Sequence, residues 1–392
     1  MFERLFKRFR ESPSASKPPI KVGVLSAQSG PLAHYGKTAV EGLQLGIEYA
    51  TGGTWESAGR KITLLVRDDG GDPTFAEEQA RILIDQEQVH LLQGSTSSTA
   101  AIKIARVAQE HQRLFVVAVS ATDVLTAEWF NPYVFRTAST TSQDAAAGGQ
   151  YAVRNLGKRF AFLSPDFIWG HQSRTAWWRA VQAEGGEIVG DALLPQDEMD
   201  FRDELREVLT RDPDVFIPSW AGKGTADLLL QMREIGVFDA VKVTADMPDY
   251  RTVEAVGEAM VGMICVVKYY HGFPQNSVND WLIRHHQVQY GTPPDIFTEG
   301  GFTSGIALVE GLKRTSGDPD VERLIPILEG MPFEGPKGTY TFRPEDHQAL
   351  QPMYVAEMVK GTEGTACVPR LILEVSAEAC APPLVEPRAP EV

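Results

Sequence analysis

Two hydroxyl-rich segments carry the most readable chemistry of this chain. Gly94-Ser95-Thr96-Ser97-Ser98-Thr99 and Ser120-Ala121-Thr122-Asp123 each follow a short apolar run and precede a further element. Hydroxyls beside the free N–H groups of a helix start form a site for a carboxylate or a carbonyl oxygen. One such segment alone is an ordinary helix cap. Two on neighbouring strands, aimed at one crevice, point to binding. A second set is aromatic. Pro165-Asp166-Phe167-Ile168-Trp169-Gly170 and Pro218-Ser219-Trp220-Ala221-Gly222 also follow apolar runs, and Asp246 ends another. A tryptophan at such a junction packs on its own lobe or walls a ligand cleft.

Other constellations fail on spacing. Gly36-Lys37-Thr38 resembles the end of a phosphate-binding loop, but that motif needs a glycine at position 31, where Pro31 stands. Ala221-Gly222-Lys223-Gly224-Thr225 fails in the same way. No GxSxG elbow is present. His285 and His286 are adjacent, so on a helix they do not face one another, and they read as a surface pair. Asp68-Asp69 reads as loop solvation or capping. Asp72-Pro73 reads as a helix start, with Asp as N-cap and Pro at the first position. No nucleophile–base pair emerges, so no catalytic residue, metal site or cofactor is assigned. The three cysteines exclude a disulfide-dense scaffold; a bond between Cys367 and Cys380 needs an oxidising compartment.

The elements that position these groups alternate regularly. Strands are expected at 21–26, 62–66, 89–93 and 114–119, with helical stripes between them. After residue 140 the alternation restarts. Strands fit 160–164, 188–193, 215–218, 241–245 and 263–268, and helices fit 144–155, 171–184, 201–210 and 223–235. Helices near 277–290, 300–315 and 320–329 and shorter strands near 338–342, 353–359 and 370–376 follow. Continuous apolar strands alternating with amphipathic helices imply α/β architecture, with parallel sheets covered on both faces. Two successive arrays of similar size imply two similar lobes.

Composition agrees with a globular chain of two or three domains: 392 residues, 43% hydrophobic and 23% charged. Lys plus Arg number 37 against 52 Asp plus Glu, a net charge of −15, which argues against a broad nucleic-acid-binding face. No run of about 18 apolar residues is present, so no membrane span is expected. Residues 1–19 carry Phe2, Leu5, Phe6 and Phe9 among Arg4, Lys7, Arg8 and Arg10. That segment lacks the continuous apolar stretch of a secretory signal. It reads as a basic tail, a membrane-surface anchor or the product of a misplaced start. Residues 378–392 are Pro-rich and expected to be disordered.

Residues 21–50 (KVGVLSAQSGPLAHYGKTAVEGLQLGIEYA) resemble the opening of the branched-chain amino-acid and amide solute-binding family, the type I periplasmic binding proteins. VRDDGGDPTFAEEQARILIDQEQVHLLQGSTSSTAAIKIA, FVVAVSATDVLT, FLSPDFIWG and RPEDHQALQPMYVAEM continue the resemblance in order, over about 20–376. It implies two Rossmann-like lobes joined by a three-crossover hinge. Lobe one would be 20–137 plus 250–342, and lobe two 138–249 plus 343–377. It implies that Ser98, Thr99, Ser120 and Thr122 hold a ligand's carboxylate and amino group. Tyr35, Trp169 and Trp220 would be aromatics beside the ligand, and Asp246 would stand where an acid meets an α-amino group. The implied protein is a non-enzymatic, extracytoplasmic receptor of an ABC importer. Its partners would be permease subunits and a small hydrophobic or aromatic amino acid, amide or carboxylate. The alternative is a cytoplasmic sensor of the same fold acting on a regulator.

Overall fold

The structure, a computed structural model, describes residues 17–362 and 366–386. The basic segment 1–16 and the last residues, 387–392, lie outside the described residues. The first array begins with β1 (Ile20–Ser26), α1 (Ala33–Ala50), β2 (Glu56–Ser57), β3 (Arg60–Asp68) and α2 (Pro73–Asp85). It continues through β4 (Leu91–Gly94), α3 (Ser98–Glu110), β5 (Leu114–Val117) and β6 (Val134–Arg136). These strands form one sheet in the order β2-β3-β1-β4-β5-β6, parallel except for β2.

The second array holds α4 (Thr141–Asn155), β7 (Arg159–Pro165), α5 (Ile168–Ala183), β8 (Glu187–Leu194), α6 (Arg202–Thr210) and β9 (Val215–Pro218). It continues with α7 (Thr225–Ile235), α8 (Val237–Ala240), β10 (Lys242–Asp246), α9 (Tyr250–Val256) and β11 (Ile264–Val267). The chain then returns to the first lobe for α10 (Ser277–Tyr290), α11 (Ile296–Arg314), α12 (Val321–Leu328) and a small sheet of β12 (Pro332–Gly335), β13 (Gly338–Phe342) and β14 (Ala349–Leu350). β15 (Met353–Lys360) and β16 (Cys367–Val375) complete the second sheet, ordered β16-β15-β11-β10-β9-β7-β8. Apolar clusters cover both faces of each sheet, as the unbroken apolar strands require.

Three crossovers join the lobes: between Arg136 and Thr141, after Val267, and at Gln351 and Pro352. Two of the expected lobe boundaries are therefore corrected. Residues 250–267 belong to the second lobe, because β11 pairs with β10 and with β15. Residues 343–350 stay with the first lobe, because β14 pairs with β13 and Ala349 sits in the first lobe's core. The expected C-terminal disorder is also corrected in part. Cys380 is fully buried, and its thiol donates to the Gln351 carbonyl at 3.3 Å. All three cysteines are free, buried thiols.

The order of each sheet places the site. In the first sheet, β1 has β3 on one side and β4 on the other, so helices leave to opposite faces between β1 and β4. The second sheet has the same switch between β7 and β9. A crevice opens at the carboxyl ends of strands flanking a switch point. The loops after β1 and β4 thus meet the loops after β7 and β9.

Packing of α1 on α11 fixes the first lobe's side of that crevice. Glycines set how closely the two helices approach. A Cβ on Gly301 would lie 1.9 Å from the Ala39 carbonyl oxygen, and one on Gly42 would lie 2.0 Å from that of Thr298. The close approach stacks Tyr35 of α1 on Phe297 of α11, with ring centroids 4.0 Å apart. Gly301→Ala must push the helices apart, since the atom it meets is backbone. We expect a loss of about 1–3 kcal/mol, the usual range for overpacking, read as a lower urea midpoint. An unchanged midpoint would show that the helices can separate freely.

Candidate functional site

A cavity of about 520 Å³ lies between the lobes. That is within the range of small-molecule sites. On the first lobe its wall includes the start of α3. Ser97 caps this helix, its hydroxyl accepting from the Ala100 N–H. First-turn N–H groups have no carbonyl behind them, so those of Ser98 and Thr99 are free to meet an anion. Ser98 and Thr99 line the cavity, and the Thr99 hydroxyl is 2.9 Å from that of Ser97.

Aromatic groups face this head-group corner from both lobes. Tyr35 and Phe297 line the cavity from the first lobe, and Phe167, Trp169 and Trp220 from the second. Trp220 is held in place: its indole N–H donates to the Lys223 carbonyl at 2.8 Å, and its ring packs edge-on against Phe201. The lobes also touch. The Gly222 N–H donates to the Tyr35 hydroxyl at 3.3 Å. Thr141 donates its hydroxyl to the Asp123 carboxylate, and the Asp123 N–H donates to Gln172 at 3.1 Å. Burial, and then the Asp249 carboxylate, raise the Tyr35 phenol above its ordinary value, so it stays protonated.

At the hinge side the wall is charged. Lys268 Nζ stands 2.8 Å from Asp144 Oδ2 and 3.6 Å from Asp246 Oδ2. Burial works against the Lys268 charge, but the two carboxylates outweigh it and hold its pKa above the usual lysine value. Burial, and then Asp144, push Asp246 up to about 7 against the pull of Lys268. Lys337 donates to the Lys268 carbonyl at 2.9 Å and to Gln351 Oε1 at 2.5 Å. Glu299 accepts from Thr303 at 2.7 Å and from the Tyr340 hydroxyl at 2.5 Å.

Six of the eight expected site residues line this cavity: Tyr35, Ser98, Thr99, Trp169, Trp220 and Asp246. Ser120 and Thr122 do not. Both are buried behind the wall, and the Ser120 hydroxyl reaches only Ser98 at 3.5 Å. From this segment Ala118, Val119 and Ala121 line the cavity, while Ser120 and Thr122 pack behind them. The paired histidines also differ from expectation. His286 is buried and bonded to the Thr292 carbonyl at 2.6 Å, while His285 stacks on Trp281. Asp68 and Asp69 are loop staples: Asp68 accepts from the Gln28, Ser29 and Gly70 N–H groups, and Asp69 from Ser95 and Gly71. Among the described residues, no group of three or more His, Cys, Asp or Glu is placed to hold a metal.

Sequence reasoning missed Asp144, Lys268, Phe297, Glu299, Lys337 and Gln351. Lys268 was findable, because it directly follows an apolar strand and ligands gather at strand ends. Lys337 sits in the tight turn of a hairpin and carries no such signal.

A raised carboxyl pKa means the folded state binds a proton that the unfolded chain releases. The raised pKa is therefore a cost to folding that is absent below the ordinary carboxyl value of 3.8, grows between there and about pH 7, and is full above it. Asp246→Asn leaves Asp144 and Lys268 as a matched pair. We expect it to raise the melting temperature at pH 8 and to raise it distinctly less at pH 5. Equal effects at both values would contradict the shifted Asp246.

Comparison with known proteins gives a consistent picture. A family model described as periplasmic binding protein matches residues 19–363. A relative from Brucella abortus (strain 2308), Leu/Ile/Val-binding protein homolog 6, is 24% identical over 359 residues, 88% of this chain and 89% of its own. An ABC-type branched-chain amino acid transporter structure from Rhodopseudomonas palustris CGA009 is 30% identical, with a TM-score of 0.82 over 93% of this chain and 99% of its own. A solute-binding protein of an ABC transporter from Rhodopseudomonas palustris BisB5, in complex with 3,4-dihydroxybenzoic acid, is 25% identical. Its TM-score is 0.84, over 92% of this chain and 98% of its own.

Proposed function

The chain belongs to the periplasmic binding protein family, and from that premise we propose that it is the solute receptor of an ABC importer. It closes two lobes around a small hydrophobic or aromatic amino acid or carboxylate and releases it unchanged to permease subunits. The observation that carries this reading is the cavity itself. It sets the free N–H groups and hydroxyls of an α-helix start against Trp169 and Trp220 of the opposite lobe. An anionic head at Ser98 and Thr99 gains from the helix dipole and from charge-assisted hydrogen bonds. The apolar body of the ligand is then covered by Tyr35, Phe297, Trp169 and Trp220, and Asp246 meets its remaining polar end.

Two kinds of ligand in the relatives support the range proposed. The names of matched proteins include leucine, isoleucine and valine binding, and the matched structures include one holding 3,4-dihydroxybenzoic acid. The match to solute-binding proteins over 88–93% of this chain favours this role over a cytoplasmic sensor. Among the described residues, no helix is long and apolar enough to cross a membrane.

Ligand binding to the native state raises its melting temperature by mass action. A thermal-shift panel of leucine, phenylalanine, benzoate and 3,4-dihydroxybenzoate should therefore yield at least one stabilising compound, and a panel with none would contradict the reading. For that compound, Ser98→Ala should weaken binding at least about tenfold, since a hydrogen bond to a charged group contributes about 1.5–3 kcal/mol. Thr122→Ala, behind the wall, should leave affinity nearly unchanged. Calorimetry giving the reverse order would remove the head-group assignment.

A further inference from the structure

Asp246 ends β10 on the cavity wall with an imbalance built around it. Asp144 and Asp246 share the single ammonium of Lys268, which sits closer to Asp144. Asp144 also accepts from the Ser139 hydroxyl at 2.9 Å, so it is the better satisfied of the two. Asp246 Oδ1 is buried and has no hydrogen-bond partner among the described residues. An ionised Asp246 is thus one negative charge in excess and one donor short. A buried charge in that condition is strongly unfavourable.

The other charged and titratable groups nearby are engaged elsewhere. Lys337, reaching the cavity from the first lobe, is held by the Lys268 carbonyl and Gln351. Glu299, on the same side, is held by Thr303 and Tyr340. Asp249, three residues on, caps α9 by accepting from Arg251 and Thr252. Cys265 on β11 is a buried thiol whose pKa burial pushes well up, so it stays neutral. Two events can relieve Asp246: a proton on its carboxyl, or a cation arriving from outside.

We propose that the Asp144–Lys268–Asp246 cluster makes ligand binding proton-linked, with a ligand ammonium group taking the unpartnered Oδ1 and expelling the proton that neutralises Asp246 in the empty cleft. The inference rests on the receptor reading above, takes from it the meeting of Asp246 with a ligand's amino group, and adds the coupling of that contact to pH. The step balances simply. A protonated Asp246 and a ligand ammonium become an ion pair, and one proton leaves to solvent. Two carboxylates then face two ammonium groups.

The direction of the pH effect follows. The amino-acid complex needs ionised Asp246, whose pKa burial and Asp144 raise to about 7. From pH 8 to pH 5.5 the apparent affinity for such a ligand should fall roughly thirtyfold, the linkage expected for one proton at that pKa. The ammonium of a free amino acid stays charged throughout this range. A carboxylate without an amino group can sit against the protonated Asp246, so it has no such slope.

The test is titration calorimetry on the full chain with leucine and with its deaminated analogue 4-methylpentanoate. Phenylalanine and 3-phenylpropanoate form a second pair. Each is run at pH 6.0 and pH 8.5 in buffers of different ionisation enthalpy, which counts the protons exchanged. We expect close to one proton released per amino acid at pH 6.0, almost none at pH 8.5, and none with the analogues. Asp144→Asn removes the carboxylate that raises Asp246, so it should reduce the release at pH 6.0; the wild-type buffer series decides the matter if that variant does not fold. Amino-acid binding without proton release at pH 6.0, release unchanged in a folded Asp144→Asn protein, or binding of the analogues alone would overturn the proposal. Binding of none of these four compounds, nor of the aromatic acids in the thermal-shift panel, would overturn the receptor reading instead.

Discussion

One buried ammonium group ties the hinge together, and the site depends on it. Lys337 reaches from the β12–β13 turn to the Lys268 carbonyl on the second crossover and to Gln351 on the third. The other end of the Gln351 amide donates to the Thr137 carbonyl on the first crossover at 2.8 Å. A lysine and a glutamine therefore link all three passages between the lobes. Burial lowers the Lys337 pKa, with Glu299 partly opposing it. The oxygens that surround Lys337 compensate for the lost water, as a buried cation requires. This knot fixes the pivot about which the switch point of each sheet is brought to face the other.

Everything at the cleft is positioned from that pivot. The first lobe supplies an anion-favouring helix start, and the second supplies tryptophans and an acid. Neither surface encloses a ligand alone. A ligand that contacts both lobes binds the closed form better than the open one, so it shifts the population towards closure. Contacts that need no ligand, such as Gly222 to Tyr35 and Asp123 to Thr141 and Gln172, stabilise the same arrangement. Hydrogen bonds of this kind contribute about 1 kcal/mol each, small enough for ligand binding to remain decisive.

Much of this was legible in the sequence, because strand periodicity and the strand-end rule are strong signals. The Asp72-Pro73 start of α2 is present as expected, with Asp72 accepting from the Phe75 N–H at 2.8 Å. The loops after β4, β7, β9 and β10 were found from their residue types alone. An apolar strand, however, does not declare which sheet it joins, and the lobe of the segment carrying β11 is settled only by its pairing with β10 and β15. Hydroxyl residues in a loop do not declare which side they face, so sequence alone does not separate Ser120 and Thr122 from Ser98, which lines the cavity. The charged hinge wall was hidden for a third reason. Lys268, Glu299 and Lys337 come from three distant segments, and only the fold brings them to one cavity, with Asp144 paired to Lys268.

The central claim is that ligand draws the two lobes together about this hinge. The three native thiols are buried, so cysteines introduced at the exposed positions Val288 on the first lobe and Leu230 on the second can be spin-labelled selectively. A distance distribution between them, measured with and without a compound that stabilises the protein, tests the claim directly. The account predicts a shorter and narrower distribution when ligand is bound, and the broader one restored on its removal. The same distribution in both states, with calorimetry confirming that the compound is bound, would contradict it.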